Sequence, residues 1–209
     1  MATLFSDSFD RANAANLGAN WDADDSGVPT DWDIDTNTAE SQVQNGNTMR
    51  TVSGAHADTA DTKVTVTQVS ASGDGGPLSR CTAKVPIQTN YVLFIASNVA
   101  TLYRANAGVD TQLGSGVGIT QVANGVAAIE VSGTGTTVTV KSYYQGSLLD
   151  TQSDTDALRL TTAGRTGMTS WSTGAGTAAR YNDFLVEDLA AGGGPVIPVF
   201  MNQYRQRRN

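Results

Sequence analysis

The sequence predicts an all-β protein: an antiparallel two-sheet β-sandwich followed by an extended C-terminal arm. Three observations predict it. Apolar and polar residues alternate with period two along many short stretches, as half-buried strands require. Turn signals punctuate those stretches: Asn45-Gly46, Asp74-Gly75-Gly76, Asn124-Gly125, Gln145-Gly146 and Gly174-Ala175-Gly176. Glycine supplies 22 of 209 residues, and Thr, Ser, Asn and Asp are abundant, a composition that favours strands and tight turns over helices.

In chain order, strands are expected near 3–9, 30–35, 39–44, 47–52, 63–67, 77–85, 91–95, 99–105, 109–113, 128–131, 138–141, 147–151, 158–162, 166–171 and 180–189. Lys63-Val64-Thr65-Val66-Thr67 alternates cleanly. Tyr91-Val92-Leu93-Phe94-Ile95 is a continuous apolar run, which predicts a central strand covered on both faces. Ala128–Val131 and Val138–Lys141 flank Ser132-Gly133-Thr134-Gly135-Thr136. They read as a hairpin with Ile129, Val131, Val138 and Val140 facing one core. No repeat of fixed period is visible, which argues against a solenoid or propeller. Gly192-Gly193-Gly194 reads as a flexible joint. The expected organisation is a body at 1–190, a glycine-rich linker at 191–195 and an arm at 196–209.

Charge narrows the function classes. The net charge is −7, but three of the 13 basic residues (Arg205, Arg207 and Arg208) lie in the arm, which has no acid. The remainder therefore carries 10 basic against 20 acidic residues, a net of −10. So acidic a body argues against nucleic-acid binding, which needs clustered Lys and Arg. One cysteine, Cys81, excludes an internal disulfide framework and reads as a packed thiol. No segment approaches the ~20 apolar residues of a membrane span. The start MATLFSDSFDR has no charged region followed by an apolar run, so no ordinary secretion signal is expected.

The two ends of the body carry a resemblance. Ser6-Asp7-Ser8-Phe9-Asp10-Arg11 is followed by Leu17-Gly18-Ala19-Asn20-Trp21. Gly164-Arg165-Thr166-Gly167-Met168 precedes Tyr181-Asn182-Asp183-Phe184-Leu185-Val186. In this order and spacing the motifs resemble concanavalin A-like (laminin G-like) jelly-roll domains. These open on D-x-F-x-R and L-G-x-x-W, and their closing strand returns beside the first. The resemblance spans roughly 3–189 and implies a jelly roll with Phe9 and Trp21 buried. Each of those side chains is worth on the order of 1.5–3 kcal/mol of burial.

The resemblance also implies sites. Laminarinase-like enzymes on this fold carry alternating acids on one strand, and Asp31, Asp33 and Asp35 share one strand face. Two carboxylates ~5–5.5 Å apart would support retaining glycoside hydrolysis. The segment comes too early for that role, however. It sits where binding-type domains place a W-x-I strand whose Trp32 and Ile34 pack inward, so no enzyme is expected. His56, the single histidine, reads as a loop residue because one His without further ligands makes no zinc site. Related jelly rolls bind a structural Ca²⁺ where first and last strands meet, and the matching positions are Asp7 and Asp183. The alternative is that Asp183 only bonds to the N-terminal strand; no other cofactor is expected. Sugar binding would need exposed aromatics, and Tyr103, Tyr144 and Trp171 are the candidates. Of Tyr143 and Tyr144, one must face outward.

The arm PVIPVFMNQYRQRRN differs from all that precedes it. Val196, Ile197, Val199, Phe200, Met201 and Tyr204 are apolar, and Arg205, Arg207 and Arg208 are basic. Pro195 and Pro198 hold it extended. Its apolar burial alone does not offset the cost of ordering its backbone. It therefore reads as an anchor that needs a partner's groove or sheet edge. These features predict a non-enzymatic structural protein of a bacteriophage virion, a capsid decoration or tail appendage assembled in the host cytoplasm. Its expected partners are capsid or tail subunits, further copies of itself and a host-surface glycan, but neither nucleic acid nor membrane. The alternative is a carbohydrate-binding module or adhesin, and behind it a glycoside hydrolase.

Overall fold

A computed structural model describes residues 1–22, 32–41, 47–51, 54–83, 88–171 and 179–189. The strands are β1 (Ala2–Asp7), β2 (Trp32–Asp35), β3 (Thr38–Ser41), β4 (Asn47–Thr51), β5 (Thr62–Gln68), β6 (Asp74–Ala83) and β7 (Thr89–Ala96). They continue with β8 (Val99–Asn106), β9 (Val109–Gly118), β10 (Gly125–Ser132), β11 (Val138–Tyr144), β12 (Ser147–Asp154), β13 (Arg165–Trp171) and β14 (Arg180–Asp188). One sheet runs β12-β11-β10-β5-β14-β3-β2, with β1 also paired to β14. The second runs β4-β13-β6-β7-β8-β9. Among the described residues there is no helix, so none long and apolar enough to cross a membrane.

The alternation read from the sequence decides which side chains meet between the sheets. Along β5, Thr62, Val64, Val66 and Gln68 are buried and the residues between them are half-buried. Ile129 and Val131 of β10 and Val138 and Val140 of β11 share one core, as the hairpin pattern requires. The other sheet contributes Tyr91, Leu93, Ile95, Leu102 and Met168.

Chain closure follows the expected route. β1 pairs antiparallel with β14, placing Asp7 opposite Phe184. Phe9 and Trp21 are buried with Phe184, and the Trp21 and Phe184 rings meet edge to face at 4.9 Å. Gly164 precedes β13 at a crossing too tight for a side chain. A Cβ there would lie 2.6 Å from the Arg80 backbone.

Four hairpins turn through two residues that both have positive φ: Thr36-Asn37, Ser97-Asn98, Ala107-Gly108 and Gln145-Gly146. That geometry matches the right-handed twist of the strands it joins. Only the last of these was legible as a turn signal, because Thr, Ser and Ala rarely occupy the left-handed region.

Two expectations are corrected. Residues 158–162 are not a strand. Leu160 is buried in a loop whose backbone is satisfied by side chains: Tyr91 Oη accepts from its N–H, and Arg80 Nη1 donates to its carbonyl. Second, β7 is not core on both faces. Tyr91, Leu93 and Ile95 face the sandwich, whereas Val92, Phe94 and Ala96 are half-buried on the outside.

Candidate functional site

The outward residues of β7 form the floor of a groove. Val92, Phe94 and Ala96 lie along its middle, with Tyr103 of β8 on one side and Thr169 and Trp171 of β13 on the other. Asp74 of β6 and Asp110 of β9 complete its flanks, together with Gln88 and Asn90. The cavity is about 360 Å³. Strand register sets the layout. Trp171 stands opposite Asp74 across β13 and β6, and Tyr103 stands opposite Val92 across β8 and β7. Trp171 is 36% exposed, unusual for so large an apolar surface. Burial pushes the Asp74 carboxyl above the usual range, and a hydrogen bond from the Ser97 backbone partly offsets it. Gln88 Nε2 donates to Asp110 Oδ1 at 2.9 Å, fixing that carboxylate at the rim.

Two of the three predicted aromatics, Tyr103 and Trp171, thus meet in one groove. Tyr144 does not. It is 5% exposed, and its Oη accepts from the Val122 N–H at 2.9 Å inside the sandwich. The outward member of the pair is Tyr143, on the outer face of the other sheet. Its hydroxyl donates to Glu130 Oε2 at 3.1 Å, and Lys63 Nζ lies 4.9 Å from its ring centroid. The signal was present in the sequence: Val138 and Val140 face inward, so Tyr144 shares their parity. Asp74 was read as a turn residue and Val92 and Phe94 as core, which hid the groove.

The expected calcium positions are not brought together. Asp7 accepts from the Phe9 N–H (2.9 Å), from Arg11 Nη1 (2.6 Å) and Nη2 (3.2 Å), and from Trp21 Nε1 (2.8 Å). All of these partners are protein donors around a nearly buried carboxylate. Asp183 is exposed and sits one residue from Phe184, the partner of Asp7, so it faces the opposite side of the sheet. It stands opposite Thr67 of β5. Among the described residues, no group of three or more His, Cys, Asp or Glu side chains is placed to hold a metal ion.

Asp31 and the arm residues Val196, Ile197, Val199, Phe200, Met201, Tyr204, Arg205, Arg207 and Arg208 lie outside the described residues. Trp32 and Ile34 are buried and Asp33 and Asp35 face outward, as a W-x-I strand predicts. Asp33 stands opposite Glu40 of β3. Arg180 bridges Glu40 (3.1 Å) and Asp35 (3.3 Å), and Asn13 Nδ2 donates to Asp35 Oδ1 at 2.7 Å. Burial pushes the Glu40 carboxyl up; Arg180 opposes this, and Asp33 and Asp35 add to it. This acidic cleft belongs to the other sheet and, among the described residues, has no aromatic lining. His56 is a loop residue whose ring nitrogens meet the Ala57 carbonyl (2.8 Å) and the Thr166 hydroxyl (3.0 Å). Cys81 is buried beside Leu78 and Val92.

Sequence comparison finds no matching protein-family model and no matching curated protein. Solved structures do match. The carbohydrate binding module CBM66 from Bacillus subtilis aligns at 13% identity with a TM-score of 0.58, over 81% of this chain and 96% of that one. An endo-1,3-beta-glucanase from Streptomyces sioyaensis aligns at 12% identity and TM-score 0.62, over 88% and 95%. A legume lectin-like domain from Entamoeba histolytica aligns at 12% identity and TM-score 0.52, over 81% and 90%. The GH43 protein BlXynB from Bacillus licheniformis is matched over only 39% of its length. The fold is that of the concanavalin A-like jelly rolls. Catalytic and non-catalytic proteins share it, so the fold alone does not decide between them.

Proposed function

We propose that this protein is a non-catalytic glycan-binding jelly roll, displayed on a bacteriophage particle as a capsid decoration or tail appendage. The observation that carries the glycan reading is the groove on the β13-β6-β7-β8-β9 face. There the exposed Trp171 and the half-buried Tyr103 flank an apolar floor beside carboxylate and amide groups. Aromatic faces cover the C–H faces of sugar rings, while carboxylates and amides accept and donate to hydroxyls. The likeness in fold to a carbohydrate binding module and a legume lectin-like domain favours the same reading.

The layout of the acids supports binding without cleavage. Asp74 on β6 and Asp110 on β9 are separated by β7 and β8, three strand spacings or ~14 Å. Paired glycosidase carboxylates stand ~5–9.5 Å apart. Asp33, Asp35 and Glu40 are on the other sheet, with Arg180 holding two of them. The test is a glycan array probed with the wild-type protein and with Trp171→Ala, alongside reducing-sugar release from the glycans that bind. Binding without release, lost in a Trp171→Ala variant that still melts cooperatively, is the expected result. Sugar release by the wild type would overturn the non-catalytic reading, and an array without any hit would overturn glycan binding.

The particle reading rests on the glycine joint and the apolar and basic arm, which follow a fold already closed by β14. Deletion of 192–209 is expected to abolish incorporation into particles while the body keeps its melting temperature. Undiminished incorporation would sink it.

A further inference from the structure

From the groove's layout and charge we infer its ligand class: an extended, uncharged oligosaccharide lying diagonally across the strands. The inference rests on the glycan reading above and adds length and charge selectivity to it.

Length follows from register. Trp171 is paired with Asp74, and the neighbouring Gly75 is paired with Ile95, so Trp171 and Asp74 stand near the level of Ala96 on β7. Tyr103 is paired with Val92, four residues further along β7. The two aromatics are therefore about 13 Å apart along the strands, from ~3.3 Å per residue. They are also three strands apart across the sheet, about 14 Å at ~4.8 Å per strand. A single sugar ring reaches one aromatic or the other, never both. The floor between them, Val92, Phe94 and Ala96, is apolar and continuous, so a chain can run from one to the other. Each end carries its own polar partners: Asp74 beside Trp171, and Asp110 with Gln88 near Tyr103.

Charge follows from the lining. Among the described residues around the groove are two carboxylates and no Lys, Arg or His. The body outside the arm adds a net charge of −10. A uronic, sialylated or sulfated glycan would bring a second negative charge into a site with no described cation to meet it, whereas neutral hydroxyls find acceptors.

The experiment is an array carrying neutral β-1,3-glucan and xylan oligosaccharides, neutral host-type glycans, and uronic, sialylated and sulfated glycans. Calorimetry then compares the best ligand at increasing chain length down to its monosaccharide. Neutral oligosaccharides are expected to dominate, with at least about tenfold weaker binding of the monosaccharide. Trp171→Ala should abolish binding on the array, and Tyr103→Ala should remove most of that length dependence. Melting curves check that both variants remain folded. Equal binding of monosaccharide and oligosaccharide would overturn the extended ligand. Preference for acidic glycans would overturn the charge selectivity while leaving glycan binding in place. An array with no hits would overturn the glycan reading itself.

Discussion

Replacing Asp154 by alanine is expected to destabilise the fold by about 3 kcal/mol, because buried Arg104 keeps only the half-exposed Asp156, at 3.7 Å, as a carboxylate partner. The Asp154 and Arg104 side chains are 2% and 3% exposed, and Arg104 Nη1 donates to both carboxylate oxygens, at 2.9 and 3.1 Å. Tyr91 Oη donates to Asp154 Oδ2 at 2.7 Å and accepts from the Leu160 N–H at 3.0 Å. Tyr91 and Arg104 face each other across β7 and β8, while Asp154 ends β12 of the other sheet. The network therefore ties the two sheets together at one side of the sandwich. Denaturant unfolding should show a lowered midpoint with an unchanged slope. Pairing Asp154→Leu with Arg104→Leu should restore much of the loss, because two apolar side chains leave no charge behind. A loss below about 1 kcal/mol in Asp154→Ala would show that Asp156 and solvent suffice to support the Arg104 charge.

The two tryptophans Trp21 and Trp171 are expected to behave in opposite ways. Trp21→Ala should cost about 3–5 kcal/mol. Its ring lies within 6.0 Å of Phe5, 5.5 Å of Phe9 and 4.9 Å of Phe184, and its Nε1 donates to Asp7. Removing it opens a cavity under the β1–β14 pairing and takes a donor from a nearly buried carboxylate. Trp171→Ala, at a side chain 36% exposed, should cost about 1–2 kcal/mol, well below the cost at Trp21, while abolishing glycan binding. Thermal melts and array binding of the two variants separate the roles. A stable Trp21→Ala protein would mean that the N-terminal segment contributes little to closure.

Local pattern carried a good part of this architecture. Alternation along Lys63–Thr67, Ala128–Val131 and Val138–Lys141 named core residues correctly, because a strand's two faces are set by parity alone. The D-x-F-x-R, L-G-x-x-W and closing-strand motifs placed Phe9, Trp21 and Phe184 together at the chain ends. Parity was also enough to place Tyr144 inside, had it been counted from Val138. The turn Thr36-Asn37 was not legible, because Thr, β-branched, rarely adopts the left-handed backbone it takes there.

The groove belongs to a different category. Trp171, Asp74, Phe94, Tyr103 and Asp110 lie on five strands, and no spacing along the chain brings them together. A run such as Tyr91–Ile95 has the same appearance whether its second face meets a core or a ligand, since both are apolar environments. By itself the sequence determined most of the strands and their inward parity, the pairing of the body's first and last strands and the acidity of the body. Only the tertiary structure decided that no described segment covers the apolar face of β13-β6-β7-β8-β9, that two predicted aromatics share it, and that Asp7 and Asp183 part to opposite sides of their sheet. The physical reason is that parity is a property of one strand, whereas a site is set by the order and register in which strands from distant parts of the chain are hydrogen-bonded.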